Sequence, residues 1–148
     1  MTTVTTKPTN LVKAKPLTSN IGKRTRRTLR GISDIRRFFH RNIEPIYFIS
    51  ATNFNLVGID EWVGNFTYVN YIDCFDGQHP NVFVPPERPH EPFESIEDIN
   101  NYLLRHPDVK AMIKKRGETY PAAGGKGNGK AVFLMFDETT EKLCKDLD

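Results

Sequence analysis

The chain has two cysteines, one tryptophan and no long apolar run. Cys74 and Cys144 cannot build a disulfide framework, and their spacing matches no zinc-ligand set. They read as reduced thiols, which points to a cytoplasmic protein. No uncharged apolar stretch approaches the ~20 residues that span a bilayer. The opening Met-Thr-Thr-Val-Thr-Thr holds no apolar core of a secretory leader. No Ser/His/Asp or Cys/His arrangement is identifiable, and neither cysteine carries an activating motif. A phosphate-binding loop is excluded by order. The glycines of Ala123–Lys130 precede an apolar strand-like run, whereas phosphate binding needs the strand before the loop and a helix after it.

Acidic residues are scarce in the first 41 positions. Asp34 stands alone there against Lys7, Lys13, Lys15, Lys23, Arg24, Arg26, Arg27, Arg30, Arg36, Arg37 and Arg41. That segment carries a net charge of +10. With +3 for the whole chain, the remainder carries −7. A basic arm thus precedes an acidic domain. Lys23, Arg24, Arg26, Arg27, Arg30, Arg36 and Arg37 are candidate contacts for nucleic acid or another polyanion.

What is present has α/β texture. Residues 1–22 are rich in Thr, Pro, Lys and Asn without periodicity, and are expected to form a disordered basic arm. Residues 23–148 are expected to form one α/β domain. In its first part, Leu29, Ile32, Ile35, Phe38 and Phe39 recur at helical spacing, with arginines on the other faces. Ser33 is the expected N-cap, and the apolar stripe is expected to dock on the domain.

Ile46–Ala51 and Phe66–Asp73 read as strands, with a short helix or irregular turn around Leu56, Ile59 and Val63 between them. Cys74–Pro92 carries five prolines and must be extended, with a short strand expected at Val82–Val84. Ser95 caps an expected helix over 96–104, and a second helix is expected over Asp108–Lys115. Gly117–Lys130 reads as a flexible glycine-rich loop. Ala131–Phe136 reads as a buried terminal strand, and Asp137–Leu147 as a helix. Strands alternating with helices imply a short, mostly parallel sheet flanked by helices. A strand and crossover helix at the end of the chain suggest the opening unit of something larger.

Two clusters invite chemistry. Asp73, Asp76, His79, His90 and Glu91 are ligand-type residues, but their spacing matches no standard metal site, and surface-loop roles are favoured. The stronger argument is topological. Open parallel sheets bind ligands beyond the carboxyl ends of their strands. Ser50, Thr52, Asn53 and Asn55 follow one strand, and Asp137 and Glu138 follow another. They would line one crevice if the two strands are neighbours. Ordinary capping and turn formation by the same residue types is the competing explanation.

The stretches Pro45–Asn55 and Ala131–Glu138 resemble the N-terminal pre-ATP-grasp domain of bacterial biotin-carboxylase-like ATP-grasp proteins. The resemblance covers roughly residues 25–148, with the glycine-rich stretch 117–130 as an apparent insertion. It implies a Rossmann-like domain that precedes an ATP-binding module. In the family, that module activates a carboxylate as an acyl phosphate. ATP and magnesium would be held there, since no segment of this chain matches the residues that grip them. The implied role is a non-catalytic wall of the substrate cleft, with an ATP-grasp module or another subunit as partner and a homodimer as a candidate assembly. A binding module whose basic arm grips nucleic acid is the alternative. An independent small α/β enzyme ranks last, because no nucleophile, general base or metal set can be named.

Overall fold

The structure, a computed structural model, describes residues 28–53, 56–74, 78–119 and 127–147. In chain order it comprises α1 (Ile32–His40), β1 (Ile46–Ser50), a short 3-10 helix (Ile59–Glu61), β2 (Phe66–Asn70), β3 (Val82–Phe83), α2 (Ile96–Arg105), α3 (Pro107–Thr119), β4 (Lys130–Val132) and α4 (Glu138–Lys145). The four strands form one parallel sheet in the order β3-β2-β1-β4. The expected α/β architecture, a small parallel sheet flanked by helices, is what the chain adopts.

The two central strands explain why their sequences are nearly continuous in apolar residues. A strand covered on both faces needs apolar side chains in both directions. On one face Tyr47, Ile49 and Val69 meet Leu103 and Leu104 of α2 and Val109 and Ile113 of α3, with Leu143 and Cys144 of α4 packed at the margin. On the other face Phe48, Phe66 and Tyr68 are covered by Leu56, Ile59 and Val63 around the 3-10 helix. Full burial of each large apolar side chain contributes about 1.5–3 kcal/mol.

The expected Ser95 cap of α2 is present. The Ser95 hydroxyl accepts from the Asp98 N–H at 3.1 Å, and the Asp98 carboxylate accepts from the Ser95 N–H at 3.2 Å. This reciprocal pair satisfies two of the free donors at the start of α2. Asp137 and Thr140 form the corresponding pair at the start of α4.

Several boundaries differ from expectation. Gly31, not Ser33, is the N-cap of α1, and it offers no side-chain acceptor. Asp34 instead reaches back to accept from the Arg30 N–H at 3.3 Å. No residue of α1 is buried, so its apolar stripe does not dock as expected. Proline at the first position of α3 is compatible with a helix start, and the helix then runs on to Thr119. Gly117 therefore belongs to a helix, against the expected loop, and is buried beside Asn128.

The largest correction concerns the terminal apolar run. β4 is only Lys130–Val132, and all three residues are exposed. It is an edge strand, and Leu134, Met135 and Phe136 lie beyond it with their side chains open to solvent. Gly129 explains how β4 reaches β1. Its φ is +123°, and a Cβ there would lie 2.5 Å from the Pro45 carbonyl oxygen. Only glycine allows that approach without strain. The Lys130 N–H then donates to that same carbonyl at 2.9 Å.

Candidate functional site

β1 and β4 are neighbours and parallel, which meets the condition for a shared crevice at their carboxyl ends. The connection from β1 to β2 passes over one face of the sheet through the 3-10 helix. The connection from β3 to β4 covers the other face with α2 and α3. The two chain directions diverge between β1 and β4.

The structure divides the candidate residues into two groups. Ser50 ends β1 and is buried, and its hydroxyl donates to the Thr52 carbonyl. The Asn70 amide, opposite Ser50 in register, donates to the Ser50 carbonyl at 3.2 Å and to its hydroxyl at 3.1 Å. Thr52 is half-buried. Asn53 is fully buried, and among the described residues neither its amide nitrogen nor its amide oxygen has a hydrogen-bond partner. Leaving such a group unsatisfied costs roughly 1–3 kcal/mol, which folding normally avoids. The Asn70 amide oxygen likewise has no partner among the described residues. Asn55 lies outside the described residues.

Asp137 and Glu138 form the second group. The Asp137 carboxylate accepts from the Thr140 N–H at 2.7 Å and from the Asn101 amide at 3.2 Å. These donors, the Thr140 N–H foremost, hold its pKa below the usual carboxylate range. Its geometry is that of a helix cap tied to α2. Glu138 is exposed in the first turn of α4. Among the described residues no hydrogen bond joins the Ser50 group to the Asp137 group.

Two residues that sequence reasoning passed over tie the Asp137 group to α2. Asn100 and Asn101 are both buried on α2. Asn100 donates to the Met135 carbonyl at 2.9 Å, and Asn101 binds Asp137 and accepts from the Thr140 hydroxyl at 2.8 Å. Adjacent asparagines in a helix interior are a readable signal, since asparagine is a poor helix former. Here they fix the chain between β4 and α4. On the same face of the sheet an apolar pocket of about 510 Å³ opens beside β4, lined by Tyr47, Ile113, Val132, Phe136, Cys144 and Leu147 among others.

The histidines of the expected acidic loop cluster separate. His79 contacts Asp60 at 3.4 Å and stands edge-on to the Tyr68 ring. Asp60 also accepts from the Tyr68 hydroxyl at 2.8 Å and from the Asn81 amide at 2.8 Å. Burial first, and the Asp60 carboxylate second, push the Tyr68 hydroxyl up to about 12. His90 stacks on Phe93 with ring centres 4.2 Å apart. The Tyr71 hydroxyl donates to Glu87 at 2.9 Å and stands 3.1 Å from His90 Nε2. That contact with Glu87 raises the Tyr71 pKa. Together these rings pin the proline-rich segment against the end of β2. Asp76 lies outside the described residues. Among the described residues no group of three or more His, Cys, Asp or Glu could hold a metal ion.

No family model, curated protein or solved structure matches the chain.

Of the polyanion candidates, Lys23, Arg24, Arg26 and Arg27 lie outside the described residues, as does the arm 1–22. Arg30, Arg36 and Arg37 are exposed. The Arg36 guanidinium sits 4.0 Å from the centre of the Trp62 ring, a cation–π contact that fixes one edge of α1 on the domain. Among the described residues no helix is long and apolar enough to cross a membrane.

Proposed function

We propose that the chain is a non-catalytic, Rossmann-like domain that forms one wall of a ligand cleft, completed by an ATP-grasp module or another subunit. The observation that carries this reading is the adjacency of parallel β1 and β4, with connections leaving over opposite faces of the sheet. Such a point leaves a crevice above the strand ends. Ser50, Thr52 and Asn53 stand on its β1 side, and Asp137 and Glu138 on its β4 side.

Two further features support the reading. The Asn53 and Asn70 amides hold unspent hydrogen-bonding capacity next to the crevice. The exposed Leu134, Met135 and Phe136 form an apolar lip along its β4 side, where a second unit would bury them. In this reading ATP and magnesium belong to the second unit, and the substrate would be a small carboxylate.

Isotope-labelled protein titrated with small carboxylates tests the wall directly. Amide shifts are expected to cluster at residues 50–53 and 133–138, with no ATP turnover by the chain alone. ATP hydrolysis by the pure protein, or shifts confined to the opposite end of the sheet, would overturn the proposal.

A further inference from the structure

α1 has the features of a helix that lies on an anionic bilayer. Ile32, Ile35, Phe38 and Phe39 fall within one sector of the helix, because side chains three and four residues apart share a face. Arg37 and Arg41 occupy the opposite sector with Ser33. In most domains the apolar sector of such a helix is buried. Here Ile32 is 67% exposed and Phe38 53%.

The apolar surface continues beyond the helix. Phe39 shares a shallow pocket of about 380 Å³ with Val57, Ile59, Trp62 and Val63. Val57 and Trp62 are themselves exposed. Isoleucine, phenylalanine and tryptophan flanked by arginine suit the boundary between headgroups and acyl chains.

We propose that α1 is an interfacial anchor that seats the domain on an anionic lipid surface. Ile32, Ile35 and Phe38 enter the acyl boundary, while Arg37 and Arg41 meet lipid phosphates and carboxylates. The charge distribution sets the orientation. Residues 28–41 carry Arg30, Arg36, Arg37 and Arg41 against Asp34 alone, a net +3, whereas residues 42–148 carry −7, so an anionic surface attracts the α1 side and repels the rest. Nucleic acid would use the arginines equally well, but it gives an exposed Ile-Phe stripe nothing to bury against. The stripe is what decides for lipid.

The test uses the full chain, with vesicles of phosphatidylcholine alone or containing about 30% phosphatidylserine. Trp62 is the only tryptophan in the chain, so its emission reports on this surface alone. Binding to the anionic vesicles, with a blue shift of that emission, is expected. The double variant Ile35→Ser/Phe38→Ser leaves the net charge unchanged and should bind at least about tenfold more weakly. Arg37→Gln/Arg41→Gln should also lose about tenfold. All four positions are exposed, so circular dichroism should find the fold intact in both variants. Absence of vesicle binding overturns the proposal. So does vesicle binding undiminished by the serine pair, which would mean simple attraction of the arm to any polyanion. Binding of the chain to a labelled duplex oligonucleotide but not to vesicles would assign the arm to nucleic acid instead.

Discussion

Ile46–Ser50 and Lys130–Phe136 are two strand-like runs of similar apolar texture, and they meet opposite fates. β1 lies between two neighbours, and all of its residues after Ile46 are buried. The second run contributes three exposed residues at the sheet edge and then leaves the sheet. The difference lies in what each run can touch. β1 has strands on both sides, α2 above and the 3-10 helix below, whereas β4 has a strand on one side only. An apolar run records the capacity to be buried, and the neighbours decide whether that capacity is used.

Substitution at the centre should break this contrast most strongly. Phe48→Ala removes a ring from the cluster of Phe66, Tyr68, Leu56, Ile59 and Val63. It should cost about 3–5 kcal/mol in a denaturant titration. A loss below about 1 kcal/mol would place Phe48 outside the working core.

Polar ties on the central strands should matter less. Tyr68→Phe leaves Asp60 and the Leu56 carbonyl each without the hydroxyl they share, and should cost about 1–2 kcal/mol. The same hydroxyl gives a pH signature. Burial raises Tyr47 and Tyr68 from the ordinary 10.0 to about 12. A raised folded pKa means that the native state holds its proton more tightly than the unfolded chain. The resulting stability is complete below pH 10 and is lost as pH rises through about 12. Alkaline unfolding followed by circular dichroism should fall in that window, and Tyr68→Phe should shrink the pH-dependent part. A transition unchanged by Tyr68→Phe would contradict this account.

The smallest effect is expected at the edge. Phe136→Ala should change stability by no more than about 0.5 kcal/mol, despite removing as large a side chain as Phe48→Ala does. A cost near that of Phe48→Ala would show that the edge is covered in solution and would erase the contrast.

The fold was readable wherever local pattern and burial agree. Both central strands and the Ser95 cap follow from spacing and residue type. Long-range partners were not readable. Nothing in Ala131–Phe136 tells an edge from a centre, and nothing in Ile32–Phe39 tells a docked stripe from an open one. Of the candidate residues, Ser50 and Asp137 could be named from their positions after two strands alone. Asn70, Asn100 and Asn101 could not, because their roles depend on segments that meet only in the folded chain. The expected glycine-rich loop differs at both ends, since Gly117 belongs to α3 and Lys130 to β4, and residues 120–126 lie outside the described residues. The joint made by Asn128 and Gly129 was not readable, since it exists only against Pro45 and Tyr47.

That joint has a kinetic consequence. The bond between Ser50 and Asn70 in the centre of the sheet closes a loop of 20 residues. The Lys130–Glu44 pair at its edge closes one of 86. Loop closure costs about 0.6 kcal/mol more for each doubling of length, and distant pairings slow folding. The centre can therefore assemble from a short piece of chain while β4 is still free. The edge strand, which pairs across the longer loop, is therefore expected to join after the centre has formed.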